Sequence, residues 1–214
     1  MSKLEEAYRQ RFESVLKPLA VAIEDHLREI FQSQSRVDRI AARAKAIDRF
    51  LTKAETVVDG KLKYSEPLRQ IQDQIGARIV TFYRPDVDSV DAVIQKYFRP
   101  IESRDMIPDS EWEFGYFGRH HVLLIPSDVI DESLDRTIMP QFFELQIKTL
   151  FQHAWSEANH DLGYKPGATP LTSDAKRRLA FTSAQAWGAD LIFDELFREG
   201  ESLGSNSIVR TESI

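Results

Sequence analysis

The stretch Phe142-Phe143-Glu144-Leu145-Gln146-Ile147-Lys148 constrains the fold more than any other. Phe143, Leu145 and Ile147 alternate with Glu144, Gln146 and Lys148. Side chains of a strand point to opposite faces in turn, so this segment reads as a strand with an apolar face on a core and a polar face opposite. The polar face is either solvated or the floor of a cleft. A strand needs neighbours, and two segments supply them. Ala77-Arg78-Ile79-Val80-Thr81-Phe82-Tyr83 is β-branched and aromatic, and His121-Val122-Leu123-Leu124-Ile125 is stopped by Pro126. Residues 87–98 read as a crossover helix between these two strands, and residues 150–162 as a helix after the third.

Both ends of the chain switch to helical spacing. Tyr8, Phe12, Val15, Leu19, Ile23, Leu27 and Ile30 recur at steps of three and four. Thr172-Ser173-Asp174 supplies helix-start residues, and Ala180, Ala184, Trp187 and Leu191 form a second stripe. Gly200 and the serines after it are expected to end that helix, leaving 205–214 as a loose tail. The expected class is α/β (α+β): a mixed sheet of about five strands, flanked by helices. One domain over 1–204 is expected, with a core at 37–165 and helical flanks at 1–33 and 172–199.

Composition narrows the chemistry. With 28 basic and 34 acidic side chains among 214 residues, the formal charge is −6, which argues against a general nucleic-acid coat. Cysteine is absent, so disulfides, thiolate metal sites and a cysteine nucleophile are excluded. Met1-Ser2-Lys3-Leu4-Glu5-Glu6 has no apolar signal core, and no apolar run reaches the ~18 residues of a membrane span. A cytoplasmic protein with no membrane partner is expected.

Against this acidic background, residues 36–53 carry Arg36, Arg39, Arg43, Lys45, Arg49 and Lys53, opposed only by Asp38 and Asp48. The run is either a solvated helix face or a phosphate site. If 40–45 is extended, Arg43 and Lys45 point the same way; if the chain turns helical near Ala46, Arg49 and Lys53 stack one turn apart. Asp73 stands just before the first strand, beside Gly76 and Arg78. It reads either as a surface turn with an ion pair or as a Mg²⁺ ligand beside a phosphate-binding arginine. Glu144, paired with Asp73, is suited to holding a divalent cation or activating a hydroxyl. In Gly115-Tyr116-Phe117-Gly118-Arg119-His120, Tyr116 is either a stacking platform or a half-buried loop tyrosine, and the glycines do not form a Walker loop. His153, Glu157 and His160 lack the spacing of a zinc helix, and His160-Asp161 lacks the further ligands of metal-dependent phosphohydrolases.

These pieces stand in an order that resembles the synthetase domain of the RelA/SpoT family, above all its small single-domain alarmone synthetases. The matching residues are Arg43-Ala44-Lys45 with Lys53, then Asp73-Gln74-Ile75-Gly76-Ala77-Arg78, then Gly115-Tyr116 with His120. Glu144-Leu145-Gln146-Ile147-Lys148-Thr149 follows, and then Trp155 with His160, Tyr164 and Lys165. The resemblance implies a nucleotidyltransferase-like fold that transfers pyrophosphate from ATP to the 3′-hydroxyl of GDP or GTP, with Mg²⁺ as cofactor. It implies that Arg43 faces the adenine while Lys45, Lys53 and Arg78 hold ATP phosphates. Asp73 and Glu144 would ligate the metal. Glu144 would also activate the hydroxyl, with Gln146 positioned beside it. Tyr116, His120, Lys148, Asn159 and His160 would serve the acceptor. Gly118, Lys148 and Asn159 stand where the family usually has Ser, often Arg and often Glu, so the departures gather on the acceptor side. Toxic small synthetases, which pyrophosphorylate the tRNA 3′ end or an adenosine nucleotide, are the alternative. They would require a basic approach surface, for which Lys61, Lys63 and Lys176-Arg177-Arg178 are the candidates. An antitoxin protein and a homo-oligomer are further partners that the resemblance allows.

Overall fold

Ser2 opens the first helix by accepting a hydrogen bond from the Glu5 backbone N–H at 3.1 Å, and acidic Glu5 and Glu6 follow in the first turn, where the helix dipole favours them. Helix α1 (Lys3–Arg11) runs through one π-helical turn (Phe12–Leu16) into α2 (Lys17–Phe31). The computed structural model describes residues 2–108, 110, 113–115, 118–163 and 171–211. Tyr8, Val15, Leu19, Ile23 and Leu27 of the expected stripe are buried, whereas Phe12 and Ile30 are only partly so. The π turn rotates the apolar face, and Leu16, Ala20 and Phe31 join the core.

Strand β1 (Val37–Ala44) leads into α3 (Ile47–Ala54). A two-residue hairpin of β2 (Val57–Val58) and β3 (Lys61–Leu62) follows, turning at Asp59 and Gly60, whose φ angles are 50° and 75°. Positive φ at both central residues is the twist-matched hairpin turn that Asp-Gly favours. Helix α4 (Pro67–Gln70) precedes β4 (Ile75–Thr81), α5 (Arg84–Tyr97), β5 (Pro100–Met106) and β6 (Gly118–Leu124). A 3₁₀ turn (Ser127–Val129), β7 (Phe142–Thr149), α6 (Leu150–Gly163) and α7 (Ser173–Thr211) complete the chain.

The sheet is mixed and five-stranded, in the order β1-β4-β7-β6-β5. Its central pair, β4 and β7, is parallel; the other neighbours are antiparallel. Helices α2 and α5 pack on the apolar face, where Ile79, Leu123, Phe143, Leu145 and Ile147 are fully buried.

Three boundaries differ from expectation. The first predicted strand begins at Ile75 and ends at Thr81. Pro85 enters the first turn of α5, and the Asp86 carboxylate accepts the Tyr83 N–H at 3.1 Å, so Phe82 and Tyr83 leave the sheet to start the helix. The second predicted strand starts three residues earlier, at Gly118, and ends before Ile125. Helix α7 does not stop at Gly200 and carries the expected tail as far as Thr211. Gly200 and Gly204 each cost a helix only about 1 kcal/mol, and no proline follows to break it. Among the described residues no helix is long and apolar enough to cross a membrane.

Because Ile147 is fully buried in the central strand pair, Ile147→Ala should lower stability by about 2–5 kcal/mol. Urea unfolding should show an earlier midpoint at unchanged slope. An unchanged midpoint would contradict this packing.

Candidate active site

Strand pairing converts the alternation in β7 into a polar sheet face ordered in rows. Arg43, Gly76, Glu144 and Val122 stand side by side on β1, β4, β7 and β6. The next row holds Ala41, Arg78, Gln146, His120 and Arg104, and the one beyond holds Arg39, Val80 and Lys148. Gly76 leaves the floor open: a Cβ there would meet nothing within 4 Å.

Asp73 sits at the entrance to β4. Its Oδ2 accepts from Lys45 Nζ at 2.8 Å and from Lys53 Nζ at 2.9 Å. Lys45 follows the end of β1 and Lys53 lies on α3, one turn beyond Arg49, so the extended and helical readings of the basic run both hold, each over its own part. Burial works against the Lys53 charge, but the Asp73 carboxylate outweighs it and raises the ammonium above its ordinary value. Asp73 Oδ1 is buried without a hydrogen-bond partner.

Two residues of α1 hold this junction: Tyr8, expected only as part of the helical stripe, and Arg11. The Tyr8 hydroxyl donates to the Lys45 carbonyl at 2.7 Å, and its ring stacks on Phe50 at 3.6 Å between centroids. Burial and then the Asp73 charge push the phenol above its usual pKa, so it remains a donor. Arg11 Nη1 donates to Gln74 Oε1 at 2.9 Å and to the Leu68 carbonyl. The Gln74 carbonyl in turn accepts from the Lys45 N–H at 2.8 Å. The signal available in the sequence was a tyrosine on an apolar stripe, whose hydroxyl must find a partner once buried.

Glu144 Oε1 accepts from Gln146 Nε2 at 2.8 Å and lies 3.0 Å from His120 Nδ1. Burial opposes its ionisation, but the hydrogen bonds of His120 and Gln146 and the charges of His120 and Lys53 win, holding the carboxyl down at about 2. Lys148 is buried under α6, with Nζ 3.2 Å from Ser156 Oγ. Burial, then the neighbouring Arg78 charge, lower its pKa to about 8. Arg78 Nη1 pairs with Glu157 Oε1 of α6 at 2.6 Å. Glu157 is thereby engaged by Arg78, and among the described residues no group of three His, Asp or Glu side chains is placed to hold a metal.

The polar face opens into two adjoining cavities. One, of about 700 Å³, is lined by Arg43, Lys45, Arg49, Lys53, Gln146 and His160 among others. The second, of about 350 Å³, takes in His120, Glu102 and Arg104. Asp73, Glu144, Lys53, Lys63 and Tyr64 line both. Arg78, Lys148 and Asn159 are not among the lining residues: the first two lie on the sheet beneath α6, and Asn159 is half-buried on α6 next to His160. Tyr116, Tyr164 and Lys165 lie outside the described residues. The loop before Tyr116 is held by α7, where Ser183 Oγ donates to the Gly115 carbonyl at 2.5 Å and Trp187 packs edge-on against Phe114.

A divalent cation fits this donor set. Mg²⁺ takes oxygen ligands, commonly one or two carboxylates completed by water and phosphate, and Asp73 offers a buried oxygen without a partner on the wall it shares with Glu144.

Removing the Asp73 charge takes away the main group that opposes burial at Lys53 and leaves only the weaker pull of Tyr64 and Glu144. Asp73→Asn should therefore move the Lys53 titration to lower pH, measured by NMR of ¹³Cε-labelled lysine. An unmoved titration would contradict the pairing.

The chain is similar to known proteins in sequence and in fold. A family profile described as "Region found in RelA / SpoT proteins" matches residues 42–169. The GTP pyrophosphokinase YjbM of Bacillus subtilis (strain 168) is 28% identical over 201 residues, covering 87% of this chain and 89% of that protein. The crystal structure of small alarmone synthetase 1 from Bacillus subtilis bound to its product pppGpp superimposes with a TM-score of 0.71 at 23% identity, covering 94% of this chain and all of that one. A GTP pyrophosphokinase family protein from Streptococcus pneumoniae gives a TM-score of 0.71 at 22% identity over 95% of this chain and 97% of its own. The matched region contains both carboxylates, the lysines that hold Asp73 and the whole polar strand, and the chain belongs to the RelA/SpoT family.

Proposed function

We propose that the chain is an alarmone synthetase that transfers the pyrophosphoryl group of ATP to the 3′-hydroxyl of GDP or GTP and releases AMP. The observation that carries this reading is the wall of Asp73, Glu144 and Lys53 between two adjoining cavities, one strongly basic. Two substrates can meet across that wall. The larger cavity takes ATP: Arg43 faces the base, and Lys45 and Lys53 meet the phosphates. Arg78 joins them by exchanging Glu157 for a phosphate oxygen, an easy exchange because an ion pair to an exposed carboxylate is worth little. His120, in the smaller cavity, serves the acceptor, whereas His160, which the resemblance assigned to the acceptor, lines the ATP cavity instead.

In the transfer, the 3′-oxygen forms a bond to the β-phosphorus of ATP. The bond from that phosphorus to the oxygen bridging to the α-phosphorus breaks, its electron pair leaving with AMP, and the hydroxyl proton passes to Glu144. A carboxylate held near 2 is a weak base. This suits phosphoryl chemistry, whose loose transition state asks for positioning and charge neutralisation before deprotonation. Glu144, fixed by His120 and Gln146, orients the hydroxyl and takes its proton late. Mg²⁺, held by Asp73 and Glu144, would neutralise charge on the transferring phosphates.

AMP release from Mg-ATP, measured with GDP, GTP, ADP and deacylated tRNA offered separately, tests the reading. AMP is expected with GDP or GTP, and release with tRNA or ADP alone would replace this reading with that of the toxic synthetases. Glu144→Gln should lower turnover by about 100-fold in a folded protein, and normal turnover would remove Glu144 from the chemistry. The Lys148 charge adds to the basic field of this sheet face. As Lys148 loses its proton near pH 8, kcat/KM should fall as pH rises through that value, and Lys148→Arg should abolish this limb. A limb unchanged in the arginine variant would assign it to another group.

A further inference from the structure

A third cavity, of about 720 Å³, meets the transfer cleft only at Gln72 and lies between the end of α1, the 68–74 segment and the chain entering β7. It is the size of a small-molecule site. Arg11, Arg69 and Arg136 line it, with Gln72 and Gln141 between them and no Asp or Glu among the described lining residues. In a chain of formal charge −6 such a gathering is unusual, because the general surface repels anions. The three guanidinium groups are available to different degrees. Arg69 only approaches Glu66 at 3.7 Å, with both side chains exposed, a pairing of little strength. Arg136 is exposed on the rim. Arg11 is 8% exposed; its Nη1 is engaged, but its Nε is buried without a partner. A buried guanidinium N–H without an acceptor carries the cost of its lost hydration, which an anion would relieve.

We propose that this cavity is a second anion site, for a small molecule bearing several phosphates. Arginine forks match phosphate oxygens in pairs, and the glutamine amides supply neutral donors around them. The site also reaches the transfer cleft. Gln72 lines both this cavity and the acceptor-side lobe. Arg11 holds Gln74, the neighbour of Asp73, and the Gln74 carbonyl holds the Lys45 N–H. An anion that draws on Arg11 therefore bears on the two residues at the junction of the donor pocket, so occupancy and transfer are coupled.

Calorimetric titration of the full chain at low salt tests the site, with inorganic tripolyphosphate in one arm and UTP in the other. Arg69→Ala/Arg136→Ala changes only exposed side chains and should weaken one binding event by about tenfold or more in the arm that matches the natural source. Arg43→Ala/Lys53→Ala should leave that event in place, and so should the charge-matched control Lys176→Ala/Arg177→Ala. The proposal is overturned if neither probe binds outside the cleft, if Arg69→Ala/Arg136→Ala binds as the unmodified chain does, or if the control weakens binding equally, which would reduce the effect to net charge. Because the Arg43/Lys53 variant reads the cleft separately, failure of the transfer reading and failure of this one give different isotherms.

Discussion

The cleft depends on one carboxylate placed between two ammonium groups. Asp73 bonds Lys45 and Lys53, which come from the end of β1 and from α3, while Asp73 itself opens β4. Three separate segments are thereby drawn to one point at the mouth of the sheet. An ion pair so little exposed is costly to desolvate and strongly destabilising to break, so its geometry is tightly held. The same contacts leave one buried Asp73 oxygen without a hydrogen-bond partner, and they keep Lys53 charged despite its burial. The α1 residues Tyr8 and Arg11 support the cluster from behind through Lys45 and Gln74, which ties the N-terminal helix to the chemistry without touching it.

The second constraint is the two-faced central strand. Phe143, Leu145 and Ile147 fix β7 in the core, so Glu144, Gln146 and Lys148 have no freedom to turn elsewhere. Their ionisation follows from their neighbours. Glu144 gains hydrogen bonds and stays an anion, whereas Lys148 is buried beside Arg78 and has its proton loosened. Equal spacing along one strand thus produces opposite responses to burial, decided by partners on β6, β4 and α6.

Much of this was legible in the sequence because it rests on local periodicity. Alternation in 142–148 identified the polar face, and the carboxylates and lysines of the cleft followed from the resemblance carried by those same motifs. The strand ends were less legible. Phe82 and Tyr83 have strand propensity, but the start of α5 at Pro85 competes for them and wins. Asp59-Gly60 was a readable hairpin signal, and its two-residue strands were too short to show any alternation. The contacts of Tyr8 with Lys45 and of Arg11 with Gln74 span 37 and 63 residues, and no local pattern announces them. The pairing of Arg78 with Glu157, 79 residues apart, belongs to the same class.

Pyrophosphoryl transfer is told from its alternatives by where the phosphorus of ATP goes. ³¹P NMR of the unmodified chain turning over Mg-ATP with GDP follows every phosphate at once. AMP and a 3′-pyrophosphorylated guanine nucleotide are expected to appear together in equal amounts, with both the β- and the γ-phosphorus of ATP on the acceptor. Formation of ADP with inorganic phosphate, or of AMP with free pyrophosphate and an unchanged acceptor, would contradict pyrophosphoryl transfer.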